Sequence, residues 1–268
     1  MDEYAAVQAA FGAKLKRRNG VYWRQIRPFF YRPLLPTVAV PAPEAGLRSP
    51  GLGGFQHVVD QEAQANSTMN FLVYEKPGEY ALENVGHQRR RQIRLAAKNI
   101  RIHPLRSLPE LVQQGYPAYL SFYERTGYDY LSERRRHAGF EKWASQILGH
   151  AKTIVLGAYA TTGLVAVSVS YWVDETFVYS TLFAGTEALR LGVCELMLHE
   201  VRRTAAAHPG IREIFARGYQ GGNSKDQYYQ LRGATLARRP ARFVLNPLAT
   251  LALRTLAPRA YQQVRGED

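Results

Sequence analysis

The chain has 268 residues, 46% of them hydrophobic, which is enough to bury a sizeable core in one large domain or two smaller ones. Its formal net charge of +13 makes nucleic acids, phosphorylated cofactors and anionic membranes all compatible partners, although 28 of the 35 basic residues are arginine, as a GC-rich coding bias would also produce. No apolar run reaches the roughly 18 residues of a membrane span, and the first twenty residues do not follow a signal-peptide pattern, so we expect a cytoplasmic protein.

The first hundred residues predict a helix followed by short strands. Apolar residues at helical spacing predict an amphipathic helix over residues 2–18, which Asn19 and Gly20 would end. Residues 21–26 predict a short strand, and the six prolines within residues 28–54 predict an extended wrapping segment.

Two further strands and a basic helix precede residue 100. The strands, residues 55–59 and 69–75, are separated by a polar loop and are expected to pair as a hairpin. Residues 82–98 predict a helix with one strongly basic face, formed by Arg89, Arg90, Arg91, Arg94 and Lys98. This face is either a solvated surface or a contact for a phosphate-bearing partner.

Residues 100–148 predict a strand and two helices. The strand covers residues 100–105, and Ser107 with Glu110 forms a capping box that predicts a helix through about residue 125. A second helix is predicted over residues 139–148, after another basic cluster that consists of Arg134, Arg135 and Arg136.

A three-strand meander followed by a long helix is predicted in the centre of the chain. Residues rich in β-branched and aromatic side chains predict the strands, which are residues 153–160, 164–173 and 176–182. A helix is predicted over residues 190–207, with its first turn facing the sheet. Orphan N–H groups and the helix dipole would favour an anionic ligand at that junction.

The last part of the chain predicts alternating strands and helices. A strand over residues 213–217 precedes a helix with Ser224 as its N-cap, and residues 234–237 and 242–245 predict an antiparallel pair turned at Arg239 and Pro240. Pro247 would begin a final, mostly apolar helix that packs on the body or serves a membrane-surface or dimer contact.

From residue 100 to residue 245, the order of these elements resembles that of the GCN5-related N-acetyltransferase (GNAT) superfamily, and most closely its Fem-type branch. In that branch, the motif R-x-x-I-R-x-A precedes the first GNAT strand, and here it is matched by Arg90, Ile93, Arg94 and Ala96. The branch also tends to carry a serine, an aromatic residue and a glycine on its late helix, and the chain keeps Ser224, Tyr228 and Gly233.

This resemblance implies an α/β (α+β) fold with a mixed, mostly antiparallel, twisted sheet flanked by helices. It implies three regions, which are an N-terminal extension over residues 1–99 that could mimic part of a second GNAT unit, an acyltransferase domain over residues 100–246, and a C-terminal helix and tail over residues 247–268.

The chain departs from the family pattern at two places. Tyr229 stands where the branch usually has lysine, and Arg232 stands where it has an aromatic residue. The pyrophosphate loop of the superfamily persists only as a remnant around Arg190, Leu191 and Gly192. The Fem-type branch as a whole also lacks a well-formed pyrophosphate loop. This absence is consistent with donors other than acetyl-CoA, including aminoacyl-tRNA.

The implied activity is that of an enzyme that transfers an acyl group from a thioester, acyl-CoA or an acylated carrier protein, to a small-molecule or peptide amine. The alternatives are a Fem-type aminoacyl transferase that uses tRNA through the two arginine clusters, and a non-catalytic module that binds nucleic acid or protein. A homodimer is compatible with each.

Nine residues are candidates for the site, of which Glu75 is chosen only for its position at the end of a predicted strand. Tyr228 or Tyr229 would protonate the leaving group, and Glu75 would be the general base, although core packing and an exposed strand end are the simpler interpretations. The donor would contact Leu182, Arg190, Gly192, Val193, Arg217 and Asn223. The lone cysteine, Cys194, excludes a disulfide, and the seven histidines have no metal-ligand spacing, so no metal is expected.

Overall fold

The computed structural model describes residues 1–41, 53–127 and 132–266, and their contacts group into two compact units. Unit 1 consists of residues 75–214 with Met1 and Glu3. Unit 2 consists of residues 4–74 and 215–268 with Asp2. These two compact units do not test the region boundaries that were predicted at residues 99 and 246. The predicted boundaries stay a prediction.

Unit 1 is built on four antiparallel strands in the spatial order β9-β8-β7-β6. Their bounds are β6 Arg101–Pro104, β7 Thr153–Ala160, β8 Gly163–Val173 and β9 Thr176–Ala184. The predicted meander is therefore present, and the predicted strand before it forms the other edge of the group. Alternation along these strands supplies apolar side chains for the helices.

Among the described residues, six α-helices belong to unit 1. They are α2 His87–Asn99, α3 Leu108–Glu110, α4 Tyr116–Thr126, α5 His137–Leu148, α6 Thr186–Arg190 and α7 Val193–Ala206. The predicted helix start at Ser107 is confirmed, because the Glu110 N–H donates to Ser107 Oγ at 3.3 Å. Aromatic contacts join α4 and α5 to β9, with the Phe183 ring 5.4 Å from Tyr119 and 6.2 Å from Phe140.

The long helix predicted over residues 190–207 is two helices. Arg190 ends α6, and Gly192 adopts φ 79° before α7 begins at Val193. A left-handed residue cannot continue a right-handed helix, and glycine is the residue that adopts this conformation without a Cβ penalty. The apolar periodicity of α7 is continuous with α6, so the sequence pattern did not reveal the break.

Unit 2 contains strands in the order β1-β2-β3-β4-β11-β5, and residues 215–218 of β10 lie beside β5. The strands are β1 Leu15–Arg18, β2 Val21–Arg27, β3 Phe30–Pro33, β4 Gly54–Val58, β5 Ser67–Glu75, β10 Glu213–Gly218 and β11 Thr235–Leu245. The pair β3–β4 is parallel, whereas β1–β2, β2–β3, β4–β11 and β5–β11 are antiparallel.

The predicted N-terminal helix was too long. Helix α1 covers Asp2–Ala10, and the basic residues after it form β1. Asn19 (φ 46°) and Gly20 (φ 78°) turn β1 into β2, so they form a hairpin turn rather than a helix C-cap. Asn-Gly suits both a helix end and a primed hairpin turn, and the consecutive Lys16, Arg17 and Arg18 of β1 give no apolar signal for either structure.

The predicted pairings around β4 and β5 were wrong. These two strands do not form a hairpin in the described residues, because β11 lies between them and pairs with both. The predicted turn at Arg239 and Pro240 is absent, and β11 is one continuous strand. Pro240 is tolerated because β11 pairs with β5 up to Ala241 and with β4 from Ala241 onward, so the missing N–H falls where the partner changes.

The extended segment predicted over residues 28–54 contains the short strand β3, and its residues 42–52 lie outside the described residues. The last helices are α8 Ser224–Gln230, α9 Pro247–Leu256 and α10 Pro258–Arg265. Pro258 separates α9 from α10. Within the described part of the chain, no helix has the length and apolar character needed to cross a membrane.

Candidate functional site

The unit 1 half of the predicted site lies where β9 leads through α6 into α7. Leu182 is half-buried in β9, and Arg190 is exposed in the last turn of α6. The Arg190 guanidinium donates to Glu187 Oε1 at 3.0 Å. Arg190 was predicted to belong to the first turn of the long helix, but it lies in α6. In this structure it neutralises a carboxylate.

Gly192 and Val193 form the N-terminus of the 14-residue helix α7. The Gly192 carbonyl accepts the N–H groups of Glu195 and Leu196, and the Val193 side chain is fully buried. A Cβ on Gly192 would lie 3.4 Å from the Ala96 Cβ, so α2 packs directly against this turn. The first N–H groups of a helix have no partner inside it, which gives this end of α7 a partial positive charge.

A carboxylate already lies in the first turn of α7. Glu195 is 12% exposed and pairs with Arg89 of α2 at 3.1 Å, and Arg89 is 26% exposed. An acidic side chain here is stabilised by the helix dipole, and it lowers the attraction of the helix end for a further anion. Arg89, predicted as a contact for a polyanion, therefore joins two helices of unit 1.

The remaining basic residues of α2 line a surface groove of about 310 Å³. Its lining consists of His87, Arg90, Arg91, Arg94, Leu95 and Lys98. Arg90 also donates to the Glu83 carbonyl at 3.1 Å. The α2 face opposite Ala96 is thus a strongly basic groove, as the sequence indicated.

The second arginine cluster belongs to a different groove, of about 490 Å³, which Arg135 and Arg136 help to line. Two arginines of the cluster lie over aromatic rings, with the Arg134 guanidinium 4.6 Å from Trp143 and that of Arg135 4.7 Å from Tyr123. The two grooves have no lining residue in common. The two arginine clusters therefore belong to separate grooves.

The unit 2 half of the predicted site is the loop between β10 and α8. Gln220 connects its two predicted residues, because its Oε1 accepts from Arg217 Nη2 at 2.6 Å and from Asn223 Nδ2 at 3.1 Å. The Asn223 side chain also accepts the N–H groups of Lys225 and Asp226, so Asn223 is the N-cap of α8, a role predicted for Ser224.

Asp226 organises this loop from a position with no exposed surface. Its Oδ2 accepts from the Gln220 N–H at 2.8 Å and the Gly222 N–H at 3.1 Å, and its Oδ1 lies 3.4 Å from Arg217 Nε. Gly221 and Gly222 both have positive φ, which allows the loop to turn toward the carboxylate. Asp226 thereby holds Arg217 and the loop in one arrangement.

The two candidate acids, Tyr228 and Tyr229, are neighbours on α8. Their rings meet edge to face at a centroid distance of 5.1 Å, and both are half-buried. Arg232 stacks over the Tyr228 ring at 3.6 Å and donates to the Tyr228 carbonyl at 2.8 Å. The Tyr228 ring is therefore in contact with both Arg232 and Tyr229.

Comparisons with known proteins identify the fold. No family model and no curated protein matches the chain. Among solved structures, FemX is 9% identical, with a TM-score of 0.65 over 94% of this chain and 93% of its own. The C-terminal domain of a putative lysylphosphatidylglycerol synthetase from Agrobacterium fabrum is 8% identical, with a TM-score of 0.62 over 94% and 90%. The chain therefore has a GNAT-like fold, similar to that of FemX. The predicted fold class, mixed α/β with a mostly antiparallel sheet and flanking helices, is confirmed.

A third structure, a protein of unknown function from Bacteroides thetaiotaomicron, is 12% identical and reaches a TM-score of 0.50 over 72% of this chain and 70% of its own. The first two matches extend over nearly the whole of this chain, so they include most of residues 1–99 as well as the predicted transferase region.

The predicted general base, Glu75, is exposed at the last position of β5. It belongs to unit 1, as do Leu182, Arg190, Gly192 and Val193, whereas Arg217, Asn223 and both tyrosines belong to unit 2. In unit 1, the Gly192 carbonyl accepts N–H groups from the first turn of α7. In unit 2, Gln220 joins Arg217 to Asn223.

A tyrosine–histidine pair in unit 1 was not anticipated from the sequence. Tyr80 OH lies 2.7 Å from His199 Nδ1, and the Arg202 guanidinium lies 3.9 Å from the Tyr80 ring. Burial lowers the pKa of His199 and raises the pKa of Tyr80. These residues are far apart in sequence, so no spacing pattern could have paired them. The described residues contain no group of histidine, cysteine and acidic side chains suited to a metal ion.

Proposed function

We propose that this chain is an enzyme that transfers an acyl group from a thioester, acyl-CoA or an acylated carrier protein, to an amine. The observation that carries this proposal is the similarity of fold to FemX over 94% of the chain. A fold alone does not define a reaction, so the proposed roles depend on the residues at the β9–α7 junction and on α8.

The proposed reaction needs few protein groups. The amine attacks the thioester carbonyl, a C–N bond forms, the C–S bond breaks, and the departing thiolate takes a proton. We assign proton donation to Tyr228 or Tyr229, and removal of the amine proton to Glu75. Their main contribution would be to hold the reactants in order and to place protons where charge develops.

The α7 N-terminus is the proposed site for the phosphates of a CoA-type donor. The N–H groups after Gly192 point out of the helix, and Arg190 lies two residues before this turn. Because Arg190 pairs with Glu187 in the free protein, donor binding would exchange this carboxylate for a phosphate. An exposed pair of this kind contributes little to stability, so the exchange costs little.

Thermal unfolding with and without CoA tests this assignment. CoA should raise the melting temperature of the wild type, and Arg190→Ala should reduce the shift. Glu187→Gln is the matched control, because it frees Arg190 and should preserve or increase the shift. Equal shifts in the wild type and Arg190→Ala would remove Arg190 from the phosphate site.

A second candidate donor is aminoacyl-tRNA, which the α2 groove favours. Arg91, Arg94 and Lys98 line a groove suited to a phosphate backbone, and Glu195 already carries negative charge at the α7 N-terminus. The structurally similar Agrobacterium protein is named as a putative synthetase of a lysylated lipid, so its name associates one domain of this fold with an amino-acid acyl group.

Binding of unfractionated tRNA separates the two candidates. If tRNA is the donor, Arg91→Gln and Arg94→Gln should each weaken binding and reduce the slope of log affinity against log salt by about one. Arg203→Gln is the control, since Arg203 is 68% exposed but pairs with Glu200 on α7. Equal tRNA binding by all three variants, together with a CoA-dependent thermal shift, would favour the thioester.

A further inference from the structure

Helix α9 presents leucines to the outside of unit 2. Leu248, Leu251 and Leu256 are 75%, 63% and 85% exposed. With 100° between successive residues, these three side chains fall within an arc of about 140°, together with Ala252 and Thr255. The Thr255 hydroxyl donates to the Leu251 carbonyl at 2.9 Å, so its polarity is satisfied within the helix. The outer face of α9 is therefore an apolar stripe.

This stripe is held outward by contacts elsewhere in α9 and α10. The Asn246 side chain accepts the Leu248 N–H at 2.8 Å and caps α9. In α10, Tyr261 contacts the Phe243 ring at 6.3 Å, and Arg265 donates to the Asn66 carbonyl at 3.2 Å. Polar and aromatic groups at the ends fix the helix pair on unit 2, and none of these anchors uses the exposed leucines.

The charge around the stripe is one-sided. Residues 247–266 contain Arg254, Arg259 and Arg265 and no acidic residue, and acids follow only at positions 267 and 268. Unit 2 as a whole contains seventeen lysines and arginines against seven acidic residues, whereas unit 1 contains eighteen against fifteen. Most of the net charge of the chain is thus carried by the unit that exposes the leucines.

We propose that α9 docks this protein on the surface of a membrane rich in anionic lipids. The leucines would enter the boundary between headgroups and acyl chains, while the exposed Arg254 would remain at the level of the headgroups. A second copy of the chain fits less well, because two basic units would face each other without carboxylates on either stripe. A nucleic acid would satisfy the arginines but gives the leucines no apolar partner.

Flotation of the full chain with lipid vesicles tests this proposal. Vesicles of 70% phosphatidylcholine and 30% phosphatidylglycerol should capture the protein, and pure phosphatidylcholine vesicles should capture much less. Leu251→Gln and Leu256→Gln should each lower the partition coefficient about tenfold, as expected for loss of a buried leucine side chain. Leu231→Gln, at a leucine 67% exposed outside the stripe, is the matched control and should not change binding.

Three results would overturn the proposal. They are equal binding to both kinds of vesicle, binding to anionic vesicles that the leucine variants do not alter, and a concentration-dependent dimer in light scattering that Leu251→Gln disrupts while vesicle binding persists. The melting temperatures of the leucine variants should match that of the wild type, because the replaced side chains are exposed. A marked fall would show that they pack inside the protein and would also contradict the proposal.

Discussion

Asp226 is a carboxylate with no exposed surface, and it organises the loop between β10 and α8. Asp226→Ala should lower the free energy of unfolding by about 3 kcal/mol, because the Arg217 charge and two backbone N–H groups would lose their buried acceptor. Urea unfolding followed by circular dichroism measures this change. Asp60→Ala, at an exposed aspartate of the same unit, is the control and should change stability by less than about 0.5 kcal/mol.

Asp226→Asn distinguishes charge from hydrogen bonding at this position. The amide oxygen can still accept one or both backbone N–H groups, but it cannot neutralise Arg217. We expect Asp226→Asn to be more stable than Asp226→Ala and less stable than the wild type. Equal stability of the wild type and Asp226→Asn would mean that the ion pair with Arg217 contributes nothing.

Tyr228 and Tyr229 differ in their contact with Arg232. The Arg232 guanidinium stacks on the Tyr228 ring and donates to the Tyr228 carbonyl, whereas Tyr229 meets the Tyr228 ring edge to face. If the chain transfers acyl groups, Tyr228→Phe should lower kcat by about 100-fold or more, a range typical of general acids. Tyr229→Phe is the matched control, and both should keep the wild-type melting temperature within a few degrees. Full activity in Tyr228→Phe would remove this residue from the chemistry.

At the level of elements, Gly192 decides where α7 begins. Gly192→Ala should cost about 1–2 kcal/mol, since an L-residue would be forced into the left-handed region. The added Cβ, 3.4 Å from Ala96, would add some strain between α2 and α7. Gly210→Ala in the same unit is the control, because its Cβ would meet nothing within 4 Å. Chemical denaturation of both variants tests the difference, and equal stabilities would show that Gly192 is not required for the turn.

The elements that sequence reasoning located correctly are those with strong local signals. Ser107 and Glu110 define a helix start within four residues, and the meander strands consist of long runs of β-branched and aromatic residues. Elements determined by distant partners were missed. Pro240 marks a turn in most local contexts, but here β11 continues through it because β4 and β5 bond to different parts of the same strand.

Less of the candidate site than of the fold could be predicted from the sequence. The basic character of α2 was evident from its composition, but the ion pair between Arg89 and Glu195 joins residues 106 positions apart. The environment of Asp226 depends on Gly222 and Arg217 adopting one loop conformation, which neither residue type specifies. Arg190 matched a family pattern, but Gly192 breaks the helix two residues later. Arg190 therefore lies outside the helix in which it was expected.

At the level of the whole molecule, the unequal charge of the two units affects how the chain meets its partners. Unit 2 carries most of the net positive charge, although the α2 groove belongs to unit 1. A polyanion would therefore be attracted to the protein before it contacts any specific groove, and added salt would weaken this attraction. Binding measurements at one salt concentration would not distinguish attraction by unit 2 from binding in the α2 groove.

Stability of the whole chain should depend on pH through two histidines, the fully buried His57 and the half-buried His199. Burial lowers the pKa of His57, which has no exposed surface, and also lowers the pKa of His199. The folded protein therefore keeps both side chains neutral at pH values where the unfolded chain, with a histidine pKa near 6.5, takes up protons. Their contribution is complete above about pH 6.5 and is lost as the pH falls from there toward the lowered pKa values. The free energy of unfolding should consequently be smaller at pH 5 than at pH 7.

Replacement of His57 isolates its part of this pH dependence. His57→Phe should reduce the loss of unfolding free energy between pH 7 and pH 5, because one group that protonates on unfolding is removed. Phe55 stacks on His57 at 5.8 Å and is similarly buried, so Phe55→Leu is the matched control. That variant should be less stable by a similar amount at both pH values, since a cavity in the core does not bind protons. Urea titrations at pH 5, 6 and 7 provide the comparison, and a wild-type pH dependence in His57→Phe would mean that this histidine is not held neutral by the fold.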